Sequence, residues 1–177
     1  MRKNPSFCSV FLCSVFGLFP HIVSAGSDSL LLTITGEVVS QPCVVKPDDE
    51  NVAIDVSTIT DADLARDKRT KSKHFQIHLE KCNADVAKGV KVTFSGTAVP
   101  TDNTLLALAA NSEAKGIAIG LEEKDGTVLP INKASRTIAI SNGETTLDFG
   151  VFVKLISLSD LKPGKFGATA NFKLDYE

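Results

Sequence analysis

The sequence lacks the features that mark several functional classes. Its 177 residues include no tryptophan, one tyrosine, one methionine and four cysteines. The formal charge is −2 at pH 7, and no basic surface or basic amphipathic helix is evident, which excludes the electrostatic basis of nucleic-acid or membrane-surface binding. Beyond the N-terminal region, no run approaches the eighteen or so apolar residues of a membrane helix.

Catalytic and cofactor motifs are also lacking. The sequence contains no G-x-S-x-G nucleophile motif and no phosphate loop. His74 and His78 have a spacing that suits a metal on a helix, but Phe75 and Ile77 alternate with polar residues and indicate a strand. The two histidines then lie about 13 Å apart on its outer face, too far to share an ion. Acidic pairs such as Glu122-Glu123 are interpreted as solvated, so we expect no metal, no cofactor and no enzymatic activity.

The N-terminus has the three parts of a secretory signal peptide. Arg2 and Lys3 supply the positive charge, and Phe7–Phe19 forms an apolar run of suitable length. Val23-Ser24-Ala25 provides the small residues that signal peptidase requires, which predicts cleavage before Gly26. An uncleaved membrane anchor is the alternative, although the run is short for a membrane span.

Two cysteines, Cys43 and Cys82, remain after the predicted cleavage. In an exported protein such a pair predicts a disulfide. A metal site would need more cysteine or histidine ligands, and a catalytic thiol is the other alternative. Closing a loop of this size is worth on the order of 4 kcal/mol in the chain-entropy model.

Short alternating apolar runs separated by turn residues predict an all-β sandwich. Helix is predicted only at Asp61–Asp67 and Thr104–Asn111, and the charged run Arg66–Lys73 is interpreted as a solvated loop rather than a binding patch. The predicted strands centre on Val52/Ile54/Val56, Phe75/Ile77/Leu79, Val90/Val92/Phe94, Ile117/Ile119/Leu121, Val128/Ile131, Ile138/Ile140, Leu147 to Leu155, and Phe166 to Tyr176.

The segments at the two ends of the mature chain look like strands for which the sequence shows no obvious pairing strand. Ser29–Cys43, SLLLTITGEVVSQPC, alternates like a strand and lies ahead of the domain, while the last run continues to the chain end. Unpaired apolar edges are templates for other chains. The front segment is either an edge strand of its own domain or a strand that pairs outside it.

The order and spacing of several features resemble the chaperone-usher pilins of the type 1 fimbrial subunit family. Gly36 lies seven residues before Cys43, and the spacing to Cys82 fits the family. The stretch Gly116–Leu121 resembles a pattern that this family has in the middle of its domain. Near the C-terminus, Gly164 is the fourteenth residue from the end and Tyr176 is the penultimate one.

The resemblance implies an incomplete immunoglobulin-like β-sandwich that is completed by a donor strand from another chain. Residues 1–25 would be the signal peptide, 26–39 a donor-strand extension and 40–177 the pilin domain. The extension would fill a neighbour's groove by β-strand addition, with Gly36 where the groove is too shallow for a side chain. By resemblance, the donor residues would be Leu30, Leu32, Ile34, Gly36 and Val38.

The resemblance also gives the C-terminal strand two roles. Its inward side chains would border the groove, and the Glu177 carboxylate would be held by basic residues of a periplasmic chaperone. An ordinary core strand is the alternative. The residues concerned are Gly164, Phe166, Ala168, Ala170, Phe172, Leu174, Tyr176 and Glu177.

The resulting hypothesis is a structural subunit of a fimbrium that polymerises by donor-strand exchange and contributes to bacterial adhesion. Its expected partners are neighbouring subunits, the periplasmic chaperone and the outer-membrane usher, with a host receptor reached only through a tip adhesin. It would be exported through the periplasm to the cell surface. The alternative is a single-domain receptor-binding tip subunit, and the sequence leaves open shaft, adaptor and terminator positions.

Overall fold

The computed structural model describes residues 32–38 and 40–177. Residues from Val38 onward form one compact unit, and the preceding residues belong to a separate one. The predicted signal peptide and Leu30 lie outside the described residues. No helix in the described ranges is long and apolar enough to cross a membrane.

The described residues contain mainly short strands. A single turn of 3₁₀ helix spans Pro47–Asp49, and helix α1 spans Asp61–Asp67. The strands are β1 (Val44–Val45), β2 (Lys73–Cys82), β3 (Gly89–Ser95), β4 (Ala98–Val99), β5 (Asp102–Leu106), β6 (Ile117–Glu123), β7 (Val128–Leu129), β8 (Ile138–Ala139), β9 (Gly143–Leu155) and β10 (Asn171–Tyr176).

The strands form two antiparallel sheets. The larger sheet has the order β1-β2-β9-β6-β5-β4, and β7 also pairs with β6. The smaller sheet has the order β10-β3-β8. The predicted turn at Lys124-Asp125-Gly126 joins β6 to β7, where Gly126 has φ +83° and its N–H donates to the Glu123 carbonyl.

The core lies between the two sheets. In β9, the alternating residues Leu147, Phe149 and Val153 are almost wholly buried, and Val90 and Val92 of β3 face them from the smaller sheet. The Phe149 ring meets the Phe94 ring edge to face, with centroids 5.0 Å apart. The predicted all-β sandwich is therefore confirmed.

The predicted helix at Thr104–Asn111 is wrong. Residues up to Leu106 belong to β5, which pairs with β4 and β6, and the Ala109 N–H donates to the Gly167 carbonyl. The Leu- and Ala-rich composition favours a helix locally, but pairing within the larger sheet overrides that modest propensity.

The predicted helix at Asp61–Asp67 has the bounds of α1. The Thr60 hydroxyl caps its N-terminus by accepting a hydrogen bond from the Asp63 N–H at 3.1 Å. The helix ends at Lys68, which adopts the left-handed conformation with φ 65°.

Two surface predictions are corrected beside this helix, on the outer face of the larger sheet. Arg69, within the run interpreted as a solvated loop, lies 3.6 Å over the Phe152 ring and pairs with Glu122 at 2.9 Å. The expectation that Glu122 is solvated is wrong, because the residue is only 5% exposed. A Cβ at Gly120 would overlap the Phe152 ring, so this glycine makes room for the aromatic side chain. We call Arg69, Phe152 and Glu122 the outer-face cluster.

Two predicted strand segments carry the alternation but no strand pairing. Residues 51–59 and residues 164–170 are outside all strands, although each shows alternating exposed and half-buried positions. Of the predicted C-terminal run, only Asn171–Tyr176 pairs, with β3. These two segments define the opening described next.

Candidate functional site

An open groove exposes the core between the two unpaired segments. Its volume is about 1270 Å³, and its floor is formed by core side chains of both sheets, among them Ile77, Phe94 and Val151. We call residues 51–59 the first rim and residues 164–170 the second rim. The floor is apolar and contains strand side chains, so the groove suits an extended apolar segment rather than a compact polar ligand.

The first rim presents alternate apolar side chains to the core. The half-buried residues pack against the core cluster, and the residues between them are exposed. Within the described residues, this segment forms no backbone–backbone hydrogen bond. Its alternation ends at Ser57, which has φ 65° and whose N–H donates to Asp55 Oδ1. The packed side chains are Val52, Ile54, Val56 and Ile59.

The second rim is bonded along one edge only. The Lys165 carbonyl accepts hydrogen bonds from the Glu113 and Ala114 N–H groups, and the Gly167 carbonyl accepts one from Ala109. The Gly167 N–H donates to Ser112 Oγ at 3.2 Å. The odd-numbered residues therefore direct their backbone groups towards the loop at 109–114.

The even-numbered residues of the second rim have the opposite orientation. Phe166, Ala168 and Ala170 are half-buried and line the groove, while their backbone N–H and C=O groups make no hydrogen bond with the described residues. An extended segment with one free backbone edge beside an apolar floor is an acceptor for another strand.

The other predicted C-terminal residues divide between groove and sheet. Phe172 lines the groove, and Gly164 is at its end. Leu174 and Tyr176 pair with β3 opposite Val92 and Val90, away from the groove lining. Burial raises the pKa of the Tyr176 phenol, whose buried hydroxyl has no hydrogen-bond partner among the described residues.

The C-terminus is held against β3. The Glu177 main-chain oxygen accepts hydrogen bonds from Lys88 and Gly89 at 2.8 and 3.0 Å. Its side chain is bonded to Lys91 at 2.6 Å and to Thr137, and these bonds lower its pKa. Part of the terminal carboxylate is therefore already engaged within the domain.

The predicted donor residues within the described range are exposed. Leu32 is 80% exposed, Ile34 83% and Val38 fully so, and residues 32–38 form no strand. A Cβ added at Gly36 would meet nothing within 4 Å.

The predicted disulfide between Cys43 and Cys82 is confirmed. It joins residues 39 apart in sequence, and both cysteines are buried. It fixes the start of the domain to the end of β2, directly after the segment that carries the donor residues.

The two histidines each lie beside a different carboxylate. The His78 ring lies 2.7 Å from Asp49 Oδ2, and its backbone N–H donates to the same oxygen, which lowers the pKa of Asp49. His74 lies 3.7 Å from Asp148 on the same strand pair. Among the described residues, no group of three or more potential metal ligands occurs.

Sequence reasoning identified the second rim but gave the first rim no role in the site. The signal was present as the alternation at Val52, Ile54 and Val56, ahead of a helix cap. This alternation indicates a strand, but only the structure shows that the segment has no pairing strand among the described residues.

Comparison with known proteins identifies the class. The profile of the family described as "Fimbrial protein" matches residues 32–177. The chain is 33% identical to the fimbrial-like protein FimF of Salmonella typhimurium, covering 94% of this chain and 96% of that protein. It is 26% identical to the Fimbria A protein of Serratia marcescens over the whole length of both.

A solved chaperone-usher pilus structure shares the fold. The match has a TM-score of 0.67 at 24% identity, covering 87% of this chain and 99% of that one. The chain belongs to the fimbrial protein family, with an incomplete immunoglobulin-like sandwich. It is a structural subunit of a fimbrium, exported and displayed at the cell surface, where it assembles with neighbouring subunits.

Proposed function

We propose that this subunit polymerises by donor-strand exchange. Its groove accepts an extended segment from one neighbour, and its own residues 26–39 fill the groove of another. The observation that supports this most is the second rim, whose even-numbered apolar side chains face the core and whose backbone groups beside them make no hydrogen bond with the part of the chain that the structure describes. Strand addition satisfies both at once.

The donor segment has the complementary chemistry. Burying Leu32, Ile34 and Val38 contributes about 5–9 kcal/mol before the cost of ordering the segment. All three are exposed in the free chain, so most of this gain is still available on assembly. Gly36 completes the apolar face at the position where we expect the groove to be shallow.

Export and assembly require the groove to be covered before a neighbour arrives. We infer that a periplasmic chaperone covers it, that basic residues of the chaperone hold the C-terminal carboxylate, and that an outer-membrane usher receives the complex. The wide apolar floor supports this, because such a surface favours aggregation when left bare. Residues 1–25 serve as a cleaved signal peptide in this scheme, and no step is enzymatic.

A matched pair of variants tests donor-strand exchange. Ile34→Asp places a carboxylate on the donor face, where insertion would bury it unpaired, whereas Thr33→Asp alters the opposite face. We expect Ile34→Asp to reduce incorporation into sheared surface fimbriae at least tenfold and Thr33→Asp to leave it nearly unchanged. Tagged subunit is quantified in fimbriae and in the periplasm, where equal soluble pools show that both variants fold. Equal incorporation of the two variants would contradict the proposal.

A further inference from the structure

We propose that the occupant of the groove is residues 30–38 of a second copy of this chain, in one antiparallel register. That register places Gly36 opposite Phe166 and Glu37 opposite Lys165. The inference rests on the proposed donor-strand exchange and adds to it the identity of the neighbour and the alignment of the strands. A chain whose donor fits its own groove forms a homopolymer.

The direction and the parity of the register follow from the second rim. The named strand pairs of the described residues are all antiparallel, and antiparallel pairing is slightly the more stable form. In the second rim, the backbone groups that make no hydrogen bond with the described residues belong to Phe166, Ala168 and Ala170. In an antiparallel hydrogen-bonded pair, the two residues exchange both bonds and point their side chains to the same face. Even-numbered donor residues must therefore lie opposite even-numbered rim residues, and registers differ by steps of two.

Side-chain size selects one of these registers. With Gly36 opposite Phe166, Ile34 lies opposite Ala168 and Leu32 opposite Ala170, so these two large side chains face small ones, while Leu30 lies opposite Phe172 at the end of the segment. A shift by two residues in one direction places Ile34 opposite Phe166 and Gly36 opposite Gly164, so the glycine no longer faces a large side chain. The other shift sets Val38 against Phe166. Interiors are closely packed, so we favour the first register, in which the donor residue without a side chain lies opposite the large Phe166 ring.

Charge selects the same register. Glu37 is the only charged residue between Asp28 and Lys46. Opposite it lies Lys165, an exposed residue whose ammonium group forms no ion pair with the described residues. The Glu113 carboxylate accepts a hydrogen bond from the Lys165 backbone N–H, so it lies on the other edge of the rim.

The alternative registers lose this pairing. A shift by two residues places Glu37 opposite Pro163 or Gly167, neither of which carries a charge. Cross-strand pairs of opposite charge contribute modestly to sheets, so the pair acts as a register marker on a strand whose affinity is apolar. Size and charge are independent properties of the sequence, and both give the same alignment.

Disulfide trapping tests the register directly. In the proposed alignment Thr33 lies opposite Thr169, and both are exposed. They form a non-hydrogen-bonded pair with Cα atoms about 4.5 Å apart, within the range that a disulfide spans. In the control pair, Thr35 and Thr169, the residues are diagonal neighbours about 7 Å apart, beyond that range.

The mature chain with Thr33→Cys and Thr169→Cys is refolded without other subunits and oxidised mildly. We expect a ladder of covalent head-to-tail oligomers on a non-reducing gel, collapsing to monomer on reduction. The control variant, with Thr35→Cys and Thr169→Cys, is expected to give at least tenfold less ladder. Detergent-resistant polymers without a ladder, or a ladder from the control variant, would overturn the register.

A second arm separates this inference from the proposed function. If the chain alone forms no polymer, yet enters native fimbriae in a manner that Ile34→Asp abolishes, then donor-strand exchange stands and the neighbour is a different subunit. If Ile34→Asp does not affect entry, the proposed function itself fails.

Charge exchange gives an independent check on the neighbour. Glu37→Lys and Lys165→Glu should each slow self-polymerisation about two- to fivefold, as expected for an exposed pair. The double variant should regain the original rate, because in a homopolymer each joint contains one donor and one rim of the same sequence. A double variant slower than either single one would count against the pair.

Discussion

Arg69 has two partners that differ in kind, an aromatic face and a buried carboxylate. Burial by itself would raise the pKa of Glu122, but hydrogen bonds from Ser72 and Arg69 outweigh it and the pKa is lowered. Glu122 therefore remains ionised in a nearly closed site on the outer face of the larger sheet. The cluster fixes the segment that follows α1 against β6 and β9.

Arg69→Ala should destabilise the domain. The change leaves the buried Glu122 carboxylate without its cation and uncovers the Phe152 ring, at a cost of about 1–3 kcal/mol. The loss is measured as a lower urea midpoint at pH 7 with the disulfide intact.

Arg66→Ala is the matched control for this prediction. Arg66 lies three residues earlier, and among the described residues its ion pairs are with the exposed Asp63 and Asp67. Exposed ion pairs contribute little to stability, so the urea midpoint of Arg66→Ala should hardly change. Equal shifts for the two variants would show that the outer-face cluster contributes no special stability.

The residue scale also shows a limit of sequence reading. The sequence at Arg66–Lys73 and Glu122-Glu123 indicated solvated charge, because charge alone carries no information about distant partners. The partners are separated by 53 residues and meet only through the strand order of the larger sheet.

At the scale of the element, the final alternating run of the chain has two parts: the second rim at 164–170, and strand β10. The alternation from Phe166 to Tyr176 is continuous in sequence, yet only Asn171–Tyr176 pairs with β3. Side-chain periodicity reports which face is apolar, and it was correct along the whole run. It does not report whether a neighbouring strand exists, so the position of the open edge could not be derived from periodicity.

Hydrogen exchange should reveal this division. In the open subunit, the Phe166, Ala168 and Ala170 amides should exchange rapidly, whereas the Lys173 amide, in the hydrogen-bonded pair with Thr93 of β3, should be protected. Adding a peptide of residues 28–40 should slow exchange at the three rim amides by at least tenfold and leave Lys173 unchanged. Exchange is followed by NMR, residue by residue. Protection of the rim amides before peptide is added would contradict the open edge.

At the scale of the whole molecule, several carboxylates share one electrostatic trend. The pKa of Asp102 is lowered to about 2 by hydrogen bonds from Thr104 and Lys154, and the pKa of Asp125 to about 2 by the Thr127 N–H and Arg136. The pKa of Glu122 is lowered as well. A carboxylate with a folded pKa below its unfolded value stabilises the fold above the unfolded value, and this contribution disappears as the pH falls through the folded value.

The domain should therefore lose stability between about pH 4 and pH 2. The urea midpoint is expected to be constant from pH 7 to 5 and to fall on further acidification. Asp102→Asn removes one of these carboxylates, so the urea midpoint of this variant should fall less steeply with acidification. Asp85→Asn, at an exposed site, should show the same fall as the original protein. An identical fall in both variants would argue against a role for Asp102.

Much of this architecture could be predicted from the sequence. The sandwich, the disulfide, α1 and the apolar faces of most strands were foreseen, because periodicity and cysteine count are local or compositional signals. The misplaced helix at Thr104–Asn111 and the unassigned first rim depended instead on long-range pairing. The groove is open because no strand of the described chain pairs with the second rim. A local sequence pattern does not show whether a strand has a neighbour in the sheet.

The Cys43–Cys82 disulfide also determines how a fibre bears tension. In the proposed donor-strand exchange, a pull on residues 26–39 would reach the domain at Cys43, only five residues beyond Val38. The covalent bond passes that load to the end of β2, so the first rim and α1, which lie between the two cysteines, cannot be drawn out of the domain. If the groove holds a neighbour's strand as proposed, the first rim would carry none of the pull and would keep its contacts with that strand.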